Sequence, residues 1–524
     1  MGRAFVYQDI LDQDLRMYDV RPDQIDTECQ RIHRAAQEVL DDLQDAARRV
    51  AQQIGAHQSE IFTAHQMILQ ELLGRPDLWQ ELERQQVNAE VAVHLVFQHW
   101  VREMHEDEST RFSQRADDIA DLGRRWIPGL RGISVSPLEK MPQGSILVAS
   151  RLLPSDAVFF ASRDVGAIVV EFGTPGSHCA LLTRQIGVPG VSNVTDVTVH
   201  IRSGDLVCVD GFRATVTVNP DKESRIGFKK RFSTNLTLRA EAMGRCHEPA
   251  IRPSGIRVPV MANIANRTDA QMAVQNGADG VGLYRLEALF MLHKSLPTES
   301  ELLEEITDTL SPLGEKPAMI RLLDVGGDKS LAYFELPIEP APCLGRRGVR
   351  VLLAHQDILN VQLRALLRVS QSHPIQIMVP MVTISADMQA VRSAVEVQAA
   401  ELVINEIPPL VAMIETPAAA LSAPDILRFA DALSLGTNDL TQHTMAAGRQ
   451  NPLVHRYFRD DHPAVVRLIH LAVKEAGDAV VGICGERAGQ PNVVPMLLDA
   501  GGRLLSVAPP LVPVIKEAVR HRPA

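Results

Sequence analysis

The sequence predicts an α/β protein whose carboxyl-terminal half is a (β/α)8 barrel, preceded by a smaller α/β domain that carries a helical bundle. Three observations carry this. Eight short apolar runs alternate with amphipathic stretches beyond Pro253, β-type runs separated by Gly- and Pro-containing turns fill residues 128–220, and helical periodicity dominates residues 25–126.

From Ile25 the apolar residues recur at Cys29, Ile32, Ala36, Val39, Leu43, Ala46 and Val50, steps of three and four that trace one stripe along a long helix. Further helical patterns cover 60–73, 88–104 and 114–126, joined by short links such as Gly74-Arg75-Pro76. An antiparallel helical subdomain over 22–127 follows. The texture changes near Pro128, where runs at 145–148, 167–170, 206–209 and 214–218 read as strands, giving a compact α/β domain over 128–220 whose start is residues 1–21. A basic helical segment from Asp221 to about Gly244 makes 221–254 a linker and hinge. Over 255–524 the barrel strands are expected at 258–264, 280–284, 318–323, 375–382, 410–414, 432–435, 479–483 and 504–507.

Composition narrows the function classes. The 524 residues allow two to four domains, and 45% hydrophobic against 22% charged residues is a globular balance. A formal charge of -11, spread without long acidic runs, argues against a nucleic-acid binder, which needs a basic face for phosphates. The start Met1-Gly2-Arg3-Ala4-Phe5 lacks the apolar core of a signal peptide, and no stretch reaches the ~18 apolar residues of a membrane span, so a cytoplasmic location is expected. The six cysteines never form a CxxC pair, so spacing indicates neither a zinc site nor a disulfide framework.

Polar residues gather where the barrel strands end: Arg285, Arg321 with Asp324, Glu415, Asn438 with Asp439, and Cys484. In a barrel of this kind the chemistry sits at those ends. Arginines clamp phosphoryl oxygens through charge-assisted bonds, and Mg2+ is held by one or two carboxylates completed by substrate oxygens and water, so the inventory fits a phosphate and a metal. In the smaller domain, Gly173-Thr174-Pro175-Gly176-Ser177-His178-Cys179 places a histidine in a Gly-rich turn before an apolar helical segment. Its imidazole can take a phosphoryl group whose oxygens nearby helix amides would hold.

The stretches Gly277-Ala278-Asp279-Gly280-Val281-Gly282-Leu283-Tyr284-Arg285, Asp324-Val325-Gly326-Gly327-Asp328-Lys329, Glu415-Thr416-Pro417-Ala418-Ala419, Gly436-Thr437-Asn438-Asp439-Leu440-Thr441-Gln442 and Cys484-Gly485-Glu486 resemble the barrel of the phosphoenolpyruvate (PEP)-utilising enzymes. The order of domains is similar to that of enzyme I, the PEP-protein phosphotransferase group of the sugar phosphotransferase system, over nearly the whole chain. The resemblance implies that Arg285, Arg321, Arg347 and Arg449 bind the PEP phosphate, that Glu415 and Asp439 hold Mg2+, and that Asn438 helps to position PEP. It further implies that Cys484 protonates the enolate of pyruvate, a role a neutral thiol can fill, and that His178 lies in the phosphohistidine loop of a swivelling domain. Residues 61–69 and 115–125 resemble the subdomain that docks the phosphocarrier protein HPr, and a homodimer through the barrel is implied.

The chain departs from the family pattern in places. Pro175 and Gly176 stand where Arg and Thr are common, Leu286 and Leu322 follow their arginines where a hydroxyl is usual, and Gly448 replaces an acid before Arg449. The first strand of the swivelling domain reads as clipped, and the chain stops soon after the last barrel helix. A dikinase-type enzyme would need an ATP-binding domain for which no Gly-rich segment or spare length exists. A PEP-sensing regulatory protein that binds a partner is the remaining alternative, kept open by Pro175 and Gly176.

Overall fold

A computed structural model describes residues 1–7, 15–53, 56–106, 110–132, 137–153, 156, 164–173, 183, 188–211, 213–293, 295–327, 331, 333–334, 336–337, 339, 341–449 and 452–521. The chain divides into two compact units, Met1–Lys230 and Arg231–Ala524.

In the first unit, five helices form the bundle: α1 (Ile25–Gln53), α2 (Ala56–Leu73), α3 (Pro76–Gln85), α4 (Ala89–Glu106) and α5 (Thr110–Leu130). The stripe read from the sequence is the buried one, since Ile32, Ala36, Val39 and Leu43 all lie in its core with Phe62, Phe97, Trp100 and Trp126. Trp126 Nε1 donates to the Ile32 carbonyl at 3.1 Å, so the indole enters the core without leaving a polar atom unpaired. Helix α3 was not anticipated, because Gly74-Arg75-Pro76 reads as a link. Pro76 instead occupies the first helical turn, where its missing N–H costs nothing, and the helix closes at Gln86 in the left-handed region, φ 51°. Helix α5 likewise continues through Pro128.

The α/β part of this unit is a six-stranded sheet in the order β4-β3-β2-β1-β5-β6, with β1 (Gly2–Tyr7), β2 (Ser145–Ala149), β3 (Val165–Val170), β4 (Gly190–Val191), β5 (Leu206–Asp210) and β6 (Thr215–Val218). The first strand, expected to be clipped, spans six residues and takes an interior place, parallel to β2 and antiparallel to β5. Alternate residues face opposite sides: Ile146 and Val148 join one cluster, Leu147 and Ala149 another. Both faces are covered, which is why these strands read as unbroken apolar runs. The Arg124 guanidinium donates to Asp156 Oδ2 at 3.0 Å, a buried pair that ties α5 to the segment after β2.

Residues Lys222–Gly244 form one helix in which the division between the units falls, and Ala242 is its one buried residue.

The second unit is a closed barrel of eight parallel strands, β7 (Val260–Ile264), β8 (Val281–Arg285), β9 (Ala318–Arg321), β10 (Ile375–Val382), β11 (Leu410–Ile414), β12 (Ala432–Gly436), β13 (Val481–Cys484) and β14 (Leu504–Val507), closed by β14 against β7. Each was expected, three with the same bounds and five with an end displaced by one or two residues. Strand β9 stops at Arg321 rather than Leu323 because the Leu323 N–H leaves the ladder and donates to the Gln362 side chain at 2.8 Å. Ala479 lies in the turn after the preceding helix, its N–H donating to the Ala476 carbonyl. Leu283, Met319, Met378, Val411 and Met413 fill the interior together with Cys484.

The last helix, Val512–Arg520, is pinned from inside the fold. Buried Lys516 Nζ donates to the carbonyls of Gly277 at 2.6 Å and Cys246 at 3.0 Å, beside Asp279. Replacing Lys516 by Met leaves those acceptors unpaired, at a cost of roughly 1–3 kcal/mol per buried group. Denaturant unfolding of the Lys516→Met barrel is therefore expected at lower midpoint. An unshifted midpoint would count against this anchor.

Candidate active site at the carboxyl ends of the barrel strands

Strand ends bring the polar residues to one rim. Strand β8 ends on Arg285 and β9 on Arg321, and the two are register partners, so two guanidinium carriers stand side by side. Like charges on neighbouring strands repel. Asp324 follows β9, Glu415 follows β11, Asn438 and Asp439 open the helix Thr437–Met445 after β12, and Cys484 ends β13. Arg347 joins through a bridge between its backbone and Gly326, where φ is +103° and a Cβ would lie 2.1 Å from the Arg346 carbonyl.

Ion pairs divide the four arginines into two kinds. Arg347, buried, donates Nε and one terminal nitrogen to the two Asp324 oxygens, both at 3.0 Å, and its terminal nitrogens to the two Asp439 oxygens at 3.1 and 3.2 Å. Such two-pronged contacts fix direction as well as charge. Arg321, also buried, donates to Glu287 Oε1 at 2.6 Å and lies 3.5 Å from Asp324. Among the described residues, the side chains of Arg285 and Arg449 make no hydrogen bond or ion pair. Arg285 is reachable by solvent yet walled by protein. That surrounding low dielectric, then Arg321 beside it, lowers its affinity for a proton.

The carboxylates are crowded in the opposite sense. Glu415 is buried, accepts from the Met381 N–H at 2.8 Å, and has its pKa pushed up first by burial, then by the Asp439 and Asp324 charges. A Cβ at Gly436 would crowd Glu415 Oε2 at 3.0 Å and push that side chain aside by a few tenths of an ångström. The Cys484 thiol is pushed up to about 11, chiefly by burial, so it carries its proton at neutral pH. Asn438 Oδ1 accepts from the Glu486 N–H at 3.1 Å, which ties the end of β12 to the loop after Cys484.

Three further residues shape the rim. Glu287 Oε1 takes hydrogen bonds from Arg321 and, at 3.1 Å, from the Asp324 N–H. Only its place two residues beyond Arg285 could have flagged it. His443 Nδ1 lies 3.0 Å from the Glu415 carbonyl, and Ser434 Oγ lies 3.6 Å from Cys484 Sγ. His178, with Pro175, Gly176 and Cys179, lies outside the described residues.

This rim can be set against known proteins. Residues 239–523 match the PEP-utilising enzyme PEP-binding domain, residues 141–214 the mobile domain, and residues 1–115 the N-terminal domain of the same group. The chain belongs to the PEP-utilising enzyme family. Among PEP-utilising enzymes it is similar to proteins named phosphoenolpyruvate-protein phosphotransferase. That of Geobacillus stearothermophilus is 33% identical over 91% of this chain and 84% of its own length. That of Haemophilus influenzae is 32% identical over 96% and 88%. That of Haloferax volcanii is 34% identical over 93% and 86%. The chain is thus an enzyme of the phosphoenolpyruvate-protein phosphotransferase class.

Two departures from the PEP-utilising pattern now have a place. Leu286 and Leu322 are fully buried, so the positions that follow the two arginines are used here for packing. Among the described residues no helix is long and apolar enough to cross a membrane.

The donor set fits a divalent cation. Glu415 and Asp439 are hard oxygen donors, and the Asp439 and Asp324 charges act on buried Glu415 from nearby, so carboxylates gather at this end of the barrel. Among the described residues no group of three or more His, Cys, Asp or Glu residues converges.

Proposed function

We propose that this protein moves the phosphoryl group of PEP onto its own His178 and then onto a histidine of an HPr-like phosphocarrier protein, releasing pyruvate. The observation that carries the reading is the division of the arginines: two cations spent on carboxylates, and two, Arg285 and Arg449, left for an anion beside a protonated thiol.

In this reading Arg285 and Arg449 take the anionic groups of PEP, and Arg321 and Arg347, held rigidly by Glu287, Asp324 and Asp439, complete the positive wall without moving. A wall set before the reaction stabilises charge on the transferring oxygens without reorganising. Glu415 and Asp439 would hold Mg2+, which when bound neutralises charge on the phosphoryl oxygens. His178 attacks phosphorus, and the leaving enolate takes its proton from Cys484. The helix Lys222–Gly244 lies in the linker expected to act as the hinge for the His178 domain, the bundle face is the carrier-docking surface, and the barrel forms the homodimer.

The test charges the protein with labelled PEP and Mg2+, adds HPr-type proteins, and follows the label. Transfer to a carrier is expected. A protein that binds PEP but never charges would instead fit a PEP-sensing regulator.

Removing the thiol separates binding from protonation. Cys484→Ala is expected to slow pyruvate formation by about 10²–10⁴-fold, the usual worth of a general acid, while PEP binding by calorimetry stays within a few-fold. Because the acid form exists below its pKa and is lost as pH rises through it, the protonation step in the parent should be flat across neutral pH and fall only toward pH of about 11. Equal losses of binding and turnover would assign the thiol to packing.

A further inference from the structure

Cys484 packs among apolar barrel residues such as Leu283, Met319 and Met413, with a hydroxyl at its sulfur. Ser434 is 2% exposed and lies on β12 two residues before Gly436, the register partner of Cys484, so both side chains face the same way. Its Oγ donates to Cys484 Sγ at 3.6 Å, and the thiol in turn donates to the Leu435 carbonyl at 3.3 Å. Among the described residues the Ser434 side chain makes no other hydrogen bond. A buried hydroxyl is costly without a partner, and an alanine here would carry no such cost, so the sulfur is what the hydroxyl serves.

We propose that Ser434 is a positioning residue for proton delivery: its hydroxyl fixes the rotamer of the Cys484 thiol and donates to the sulfur when the proton has left. The inference rests on the reading of Cys484 as the acid. In the step concerned the S–H bond breaks and a C–H bond forms at C3 of the enolate. The electron pair of the S–H bond stays on sulfur as a thiolate, and solvent later returns a proton. Of the charged groups that act on the thiol, Arg321 and Arg285 favour the thiolate and Glu415 opposes it, while Ser434 supplies the side-chain hydrogen bond at the sulfur itself. Burial raises the thiol most, and the Ser434 hydrogen bond acts against it.

The experiment follows alkylation of Cys484 by iodoacetamide in the full chain, resolved by peptide mass spectrometry, against pH. Only the thiolate reacts. Ser434→Ala is expected to slow the reaction at a fixed pH by roughly 10- to 100-fold, the worth of one hydrogen bond to a charged group, and to lower kcat with little change in KM for PEP. Ser434→Thr, which keeps the hydroxyl, should stay within about threefold of the parent by the same reasoning. An unchanged rate in Ser434→Ala, or equal slowing in the Ala and Thr variants, would overturn the proposal. Failure of the functional reading shows separately, as absence of pyruvate formation in the unsubstituted protein.

Discussion

A His178→Ala chain is expected to take up no label from PEP, a loss of several orders of magnitude, whereas the parent yields a phosphoprotein that is labile in acid and stable in base. That pattern belongs to a phosphorus–nitrogen bond. The barrel of the variant is untouched, so PEP binding measured by calorimetry should be retained, and the result isolates the nucleophile from the substrate site. Undiminished labelling would remove His178 from the mechanism.

Glu415→Gln and Asp439→Asn are the second pair of large effects. Each removes one of two hard donors, and at limiting Mg2+ each is expected to cut phosphorylation by about 10³-fold or more, since charge neutralisation carries most of phosphoryl transfer. The two should differ in one respect. Asp439 also receives both terminal nitrogens of Arg347, so Asp439→Asn frees that side of a buried cation, while Glu415→Gln relieves a carboxylate already crowded by its neighbours. Added Mg2+ should therefore rescue Glu415→Gln more than Asp439→Asn. Normal activity of either variant at limiting metal would exclude that residue as a ligand.

The barrel was legible because parallel strands buried on both faces leave plain apolar runs such as Leu410-Val411-Ala412-Met413-Ile414, with acids and arginines at their ends. The bundle stripe was legible for the same reason, since its period is geometric. Helix α3 was not, because proline has opposite meanings at a first turn and in a link. The rim was legible as a roster but not as a circuit. One letter stands for Arg285 and Arg347 alike, and only the fold shows that the second is already engaged by two aspartates. Glu287 and Ser434 escaped notice because their worth lies in what they touch across strands far apart in sequence.

The helix Lys222–Gly244 has a consequence for reach. Ala242 is its one buried residue, and Gly227 and Thr237, both weak helix formers, lie within it. As a helix it spans roughly 35 Å at about 1.5 Å per residue, and unwound the same residues could extend to roughly twice that. In the proposed reading of this helix as the hinge, unwinding any part of it raises the greatest reach the chain allows, and warming or a glycine substitution within it favours that unwinding.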